Sequence, residues 1–138
     1  MDIVFLAGRV LFAAIFLLSA LGHFTQADGM AQYAQAKGVP NAKAGVVASG
    51  VLALLGAISI VFGIWLDLGA LLIVAFLIPV TFFMHPFWKE SDAQARQLEQ
   101  INFNKNLALL GGALILFYVA NQGQDVPAGL TDALLSRW

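Results

Sequence analysis

Four long apolar stretches constrain this chain more than any other feature of its sequence. They cover residues 3–24, 44–65, 68–84 and 104–121, and few polar side chains interrupt them. A helix rises about 1.5 Å per residue, so about 20 apolar residues cross a hydrocarbon layer about 30 Å thick. Because backbone polar groups inside lipid must bond to one another, apolar segments of this length form helices. We therefore predict an all-α fold, an integral membrane four-helix transmembrane bundle that forms a single domain over residues 1–138.

The composition restricts the kinds of molecule that the chain is expected to bind. Hydrophobic residues make up 60% of the chain, charged residues 11%, and the mean hydropathy is +0.83, whereas an ordinary soluble domain is about 45 to 50% apolar. The net charge of -1 provides no basic field for nucleic acid, so none is expected as a partner. The absence of cysteine excludes disulfides and a thiol redox step carried by the chain itself. The lipid bilayer is the first expected partner, with a multi-pass topology.

The connections between the spans predict an orientation. Residues 25–43 have the spacing of a short interfacial helix that ends at Gly38 and Pro40, and residues 89–102 are predicted to be a solvated segment of mixed charge. Four spans place both chain ends on one side of the membrane. The basic residues between the spans or at their ends lie mostly on the other side. They are Lys37, Lys43, Lys89, Arg96 and Lys105, against Arg137 on the terminal side. The positive-inside rule then places both termini outside the cytoplasm.

Arg9 is the most informative single residue. An arginine within an apolar span is costly in lipid, so its side chain is predicted to face the bundle interior. Arg9, Phe16 and His23 are seven residues apart, and fourteen steps of about 100° fall about 40° short of four turns, so all three share one helix face. Asp67 and Asn121 are the candidate partners of Arg9 near the same membrane surface. The alternative is that Arg9 snorkels to the lipid headgroups.

A second group of polar side chains lies at the opposite ends of the spans. It includes His23, His85, Trp88 and Asn106, together with Asn102 and Lys105. Such a group suits the polar headgroup of a ligand, although side chains of these types also simply meet the membrane interface. Two histidines can ligate a metal or haem, but no further His, Cys or carboxylate spacing supports ligation, so no metal site is predicted. The candidate ligand-binding residues are Arg9, His23, His85, Trp88 and Asn106, and no catalytic residue is assigned.

Four segments carry a resemblance to a known family. They are Gly8-Arg9 with an apolar run to the SALGHF of residues 19–24, Tyr33 with the GVP of residues 38–40, the HPFW of residues 85–88, and Phe103 with the KNLALLGG of residues 105–112. In this order and spacing the chain resembles the DoxX family of small bacterial membrane proteins over almost its entire length. The resemblance implies a four-helix bundle in the bacterial inner membrane that acts with partner proteins. Arg9, His23, His85 and Asn106 match the polar pattern of the family.

The resemblance also orders the functional hypotheses. Relatives include a subunit of an archaeal thiosulfate:quinone oxidoreductase, and others are linked to membrane oxidoreductase complexes that answer oxidative or thiol stress. The first hypothesis is therefore a redox-associated subunit that binds a quinone or a small anionic substrate. In it Arg9 neutralises an anion, His23 or His85 hydrogen-bonds a carbonyl, and a cavity reaches Arg9. The chain is at most an oxidoreductase-associated subunit, with a soluble or membrane redox protein as its partner.

Two alternatives come from other functional classes. The first is a non-catalytic membrane scaffold or lipid-binding module whose residues 89–102 recruit a soluble partner. The second is a small-molecule transporter, which at 138 residues requires at least a homo-oligomer to enclose a pathway. An enclosed polar pocket between Arg9 and His85 discriminates the ligand-binding hypothesis from the scaffold.

Overall fold

The computed structural model describes residues 2–122 and 125–135, and regular secondary structure in those residues is helical throughout. The helices are α1 (Asp2–Thr25), α2 (Ala27–Ala36), α3 (Ala42–Phe62), α4 (Leu66–Met84) and α5 (Ala93–Ala120), with a 3-10 turn at Phe87–Lys89. Four of these segments are long and apolar enough to cross a membrane. The predicted membrane bundle and the short helix after the first span are thus confirmed. Arg137, which entered the predicted orientation, lies outside the described residues.

Small residues set how closely the helices pack. α1 packs on α3, α3 on α4 and α4 on α5, while α2 packs on α3. A Cβ added at Gly56 would lie 2.8 Å from Ile73 Cδ1, and one added at Gly69 would lie 2.2 Å from Ser59 Oγ. Glycine at both positions therefore allows α3 and α4 to approach each other closely, as small residues do in membrane bundles.

α1 and α5 approach each other mainly through one side chain. A Cβ added at Gly112 of α5 would lie 2.9 Å from Phe12 Cε2 of α1, and the backbones of these two helices pack less closely than the other neighbouring pairs. Phe12 also contacts the ring of Phe16, with 5.2 Å between their centroids. The bundle is therefore filled at the level of Phe12, and it opens towards the ends where α1 and α4 finish.

The last long helix begins earlier than predicted. The sequence analysis placed a span at residues 104–121 after a solvated segment at 89–102, whereas α5 is continuous from Ala93. The carboxylate of Asp92 accepts a hydrogen bond of 2.8 Å from the Ala95 amide and caps the helix, which stabilises a helix by about 1 kcal/mol. Residues 93–103 thus form about three helical turns before the predicted span. These turns are polar, and the cap stabilises them without an apolar face.

The segment after α5 folds back over the turn between α3 and α4. Its hydrogen bonds to that turn join Leu130 N to Phe62 O (3.1 Å), Thr131 N to Gly63 O (3.2 Å), Trp65 N to Thr131 Oγ1 (2.8 Å), and Leu134 N and Leu135 N to the two carboxylate oxygens of Asp67 (2.9 and 2.5 Å). Asp67 is fully buried by this contact. Residues 125–135 therefore close the end of the bundle opposite to the open one.

Candidate ligand-binding site

A cavity of about 1090 Å³ occupies the open end of the bundle. All five helices contribute to its wall, which is mainly apolar. Its polar side chains are Ser19, His23, Gln26, Tyr33, Ser49, His85, Lys105 and Asn106. Apolar cavities of roughly this size with a few converging polar groups are the usual form of sites for small molecules.

The deep part of the cavity holds two polar side chains that the protein leaves with unused bonding capacity. His23 is 6% exposed, its ring packs edge-on against Phe76 at 5.8 Å, and its Nδ1 lies 2.7 Å from the carbonyl oxygen of Ser19. Asn106 is also 6% exposed. Within the described residues, neither His23 Nε2 nor the Asn106 carboxamide has a hydrogen-bond partner. Buried polar groups normally have partners, so these two groups are the candidate ligand contacts of the cavity.

The mouth of the cavity is crossed by a polar network. His85 Nδ1 lies 2.7 Å from Glu99 Oε2, and the hydroxyl of Tyr33 donates to Glu99 Oε1 at 3.0 Å. Lys37 Nζ donates to Glu90 Oε1 at 2.8 Å and lies 3.9 Å from Glu99 Oε1. These contacts join α2 and the residue that follows it to α5 and to the connection between α4 and α5. Glu99 and Asn106 are seven residues apart, so about 10 Å along α5 separates the mouth from the deep part.

The sequence analysis did not identify Glu99 or the network around it. Glu99 was assigned to a solvated segment. Among the described residues, however, it is the only one whose carboxylate contacts His85. A signal was available in the spacing, because Glu99 and Asn106 are seven residues apart and share one face of a helix. That argument requires α5 to begin before Glu99, and the apolar run alone did not predict this.

Arg9 lies at the other end of the bundle, outside the cavity. Its side chain is fully buried, which confirms the predicted inward orientation over snorkelling. Nη2 donates to the carbonyl oxygen of Ala128 at 2.7 Å, and the guanidinium carbon lies 5.4 Å from the centre of the Phe5 ring. Nε and Nη1 have no hydrogen-bond partner among residues 2–122 and 125–135.

Two expectations about Arg9 are corrected. Neither predicted partner contacts it in the described part of the chain, because the Asp67 carboxylate accepts backbone amides and the Asn121 side chain donates to Phe117 O at 2.8 Å. The cavity also does not reach Arg9, because the rings of Phe12 and Phe16 fill the bundle interior between the cavity and Arg9. Arg9 therefore does not share a site with His85.

Trp88 also lies outside the cavity. Its side chain is 49% exposed, and its ring packs against Phe87 and Phe103 at centroid distances of 5.3 and 5.7 Å. Of the five candidate residues, the structure thus brings His23, His85 and Asn106 together around one cavity and leaves Arg9 and Trp88 apart from it.

The comparison with known families gives one match. The sequence model of the DoxX family matches residues 4–86, which is more than half of the chain. The chain belongs to the DoxX family. It is a small DoxX membrane protein whose apolar helices contact the bilayer. Searches of curated proteins and of solved structures returned no significant match.

The residues that match the family model form only part of the cavity wall. They include α1 to α4 with His23, Tyr33 and His85, whereas Glu99 and Asn106 lie on α5 beyond the matched residues. In residues 2–122 and 125–135, no group of three or more His, Asp or Glu side chains is arranged to hold a metal ion.

The network at the mouth predicts a response to alkaline pH. The hydrogen bond from Lys37 to Glu90 raises the pKa of Lys37 above 10.5, and burial with the hydrogen bond to Glu99 raises the pKa of Tyr33 above 10.0. Both groups hold their protons more tightly when α2 is docked. Docking is therefore fully stabilised below about pH 10 and loses these contributions as the pH rises through the raised pKa values.

Thiol labelling can measure this effect, because the chain has no cysteine of its own. Both Ala34 and Ala36 belong to α2, and Ala34 is buried whereas Ala36 is exposed. We expect the labelling rate of Ala34→Cys, divided by that of Ala36→Cys, to rise several-fold above pH 10. The ratio corrects for the ionisation of the introduced thiol. A constant ratio would show that the network does not hold α2 in place.

Proposed function

We propose that this DoxX protein is a membrane subunit that binds a quinone-class molecule in its cavity and serves a redox system of the bacterial inner membrane. The observation that carries the proposal is the pair His23 and Asn106, both 6% exposed and both with unused bonding capacity in an otherwise apolar cavity. A quinone has an apolar ring and tail, together with oxygens that lose free energy in an apolar site unless they are hydrogen-bonded. The Asn106 carboxamide can donate to such an oxygen, and His23 can accept a hydrogen bond from the hydroxyl of the reduced ring.

The surroundings of the pair also suit an aromatic ring. Phe16 and Phe76 lie at the inner end of the cavity with their rings edge-on at 6.0 Å. Aromatic side chains favour offset or edge-on contact with another ring. Since the cavity is open, an apolar tail can extend from the ring towards lipid. In this proposal the chain supplies the binding site, and a partner protein supplies or accepts the electrons.

The proposal is tested by asking which molecules stay with the protein when it is extracted gently from its own membrane. Native mass spectrometry and solvent extraction should find a quinone at about one per chain. Asn106→Leu and His23→Leu should each reduce this amount about tenfold, because the loss of a hydrogen bond in a buried site costs about 1–3 kcal/mol. Asn104→Leu is the matched control on α5, since Asn104 is exposed and outside the cavity. If all four proteins carry only bulk lipid, the quinone proposal fails.

A lipid-binding module is the second candidate function. Its supporting observation is Lys105, which is exposed at the cavity wall with its Nζ 3.2 Å from Asn102 Oδ1. A cation beside an apolar cavity suits an acyl chain with an anionic headgroup. This candidate predicts that one anionic lipid, and no quinone, copurifies with the protein and that Lys105→Gln reduces its amount.

A further inference from the structure

The two histidines of the cavity use the same ring nitrogen to bond to the protein. His23 Nδ1 lies 2.7 Å from Ser19 O, and His85 Nδ1 lies 2.7 Å from Glu99 Oε2. Carbonyl and carboxylate oxygens accept hydrogen bonds, so each Nδ1 carries a proton. In a neutral imidazole the other nitrogen, Nε2, is then an acceptor. Neither Nε2 bonds to another described residue, so both acceptors are available to a ligand.

The polar network at the mouth of the cavity holds His85 in this state. One oxygen of Glu99 accepts from His85, and the other accepts from the Tyr33 hydroxyl at 3.0 Å. A carboxyl group that accepts on both oxygens acts as a carboxylate. Glu99 and Tyr33 therefore act as positioning residues, because they fix which nitrogen of His85 is protonated.

The two acceptors lie at different depths. The His23 ring packs on Phe76, and His85 follows Phe76 by nine residues, which is about 13 Å along α4. A ring with hydroxyl groups at opposite ends, donating through two bonds of about 2.8 Å each, spans a distance of the same order. The difference in depth between the two histidines is thus of the same order as the length of such a ligand.

We infer that the cavity prefers the reduced, hydroxyl-bearing form of its ligand, a hydroquinone or related phenol, over the oxidised carbonyl form. A hydroquinone donates to both Nε2 atoms, whereas the oxygens of a quinone only accept hydrogen bonds and gain none from either Nε2 atom. The Asn106 carboxamide both donates and accepts, so it can bond to either form. This inference rests on the proposed function, which supplies a ligand with an aromatic ring. It adds that the reduced form of that ligand is the one bound more tightly. A reaction that reduces quinones must then supply this ligand.

Three probes of nearly the same shape test the preference. They are a decyl-substituted hydroquinone, the matching benzoquinone, and the dimethyl ether of the hydroquinone, which cannot donate a hydrogen bond. With the protein in phosphatidylcholine nanodiscs at about pH 8, where the unperturbed imidazole is neutral, calorimetry should show the hydroquinone binding about tenfold more tightly than either of the others.

Single substitutions separate the inference from the proposed function. His23→Leu and His85→Leu should each weaken hydroquinone binding about five- to tenfold and leave the binding of the dimethyl ether unchanged, so the ether reports whether the cavity is intact. Asn104→Leu should change neither. Equal binding of all three probes at about pH 8 would overturn the inference and leave the proposed function standing. If no probe binds the wild-type protein, both are overturned.

Discussion

Replacing Gly50 with alanine should release the ligand and destabilise the bundle, although the change adds only one methyl group. A Cβ at this position would lie 2.7 Å from the Cβ of His23 and 3.2 Å from Phe24 Cε1. The Cβ of His23 is fixed to its backbone, so α1 must move away from α3 and carry the imidazole with it. Since overpacking costs about 1–3 kcal/mol, we expect the free energy of unfolding to fall by about 2 kcal/mol and ligand retention to fall at least about tenfold.

Gly111→Ala is the matched control for Gly50→Ala. Gly111 also lies within a long helix, but a Cβ there would meet nothing within 4 Å. Its stability should be unchanged or higher by up to about 1 kcal/mol, because alanine favours a helix over glycine. Unfolding in mixed micelles, followed by circular dichroism, gives the stabilities, and extraction gives the ligand content. If Gly50→Ala has the stability and the ligand content of the wild type, then the contact between α1 and α3 does not position His23.

Asp67→Ala should cause the largest loss of stability at the closed end of the bundle. Asp67 is fully buried, and its two oxygens accept the amides of Leu134 and Leu135. Alanine leaves both donors without an acceptor, and an unsatisfied buried donor costs about 1–3 kcal/mol. We expect a total loss of about 2–4 kcal/mol. Residues 125–135 should detach and become susceptible to protease, and Arg9 should lose the Ala128 carbonyl.

Asp92→Ala is the comparison for this prediction. Asp92 also accepts a backbone amide, that of Ala95, but at the exposed start of α5. Its loss should cost about 1 kcal/mol, as for an ordinary helix cap, without exposing residues 125–135 to protease. If Asp67→Ala costs no more than Asp92→Ala and the segment stays protected, then the segment is held by its other contacts.

The sequence predicted the membrane bundle because a bilayer permits few solutions. Long apolar runs must become helices in lipid, and a charge within such a run is buried, so both the spans and the inward side of α1 followed from hydropathy and spacing. The beginning of α5 did not follow. Its first turns carry Gln94, Arg96 and Glu99 and depend on a cap at Asp92 rather than on an apolar face.

The partner of Arg9 was beyond prediction for a different reason. It is the backbone carbonyl of Ala128, and every residue has a carbonyl, so no side-chain pattern distinguishes this one. The contact of His85 with Glu99 joins residues fourteen apart across a turn. It becomes visible only when α5 is known to begin before Glu99. Interactions that depend on how the chain turns are thus less accessible from sequence than those that depend on burial alone.

The distance along the chain between Arg9 and its acceptor has a consequence for biogenesis. Arg9 lies in the first helix of the bundle, and Ala128 follows it by 119 residues. At about 5–20 residues per second, translation needs on the order of ten seconds to produce that carbonyl. During this interval the guanidinium must remain with water or headgroups, at an insertion cost of about 2.5–3.5 kcal/mol that the apolar residues around it offset. The first helix of the bundle therefore reaches its final environment only after the segment that follows the last helix has been synthesised.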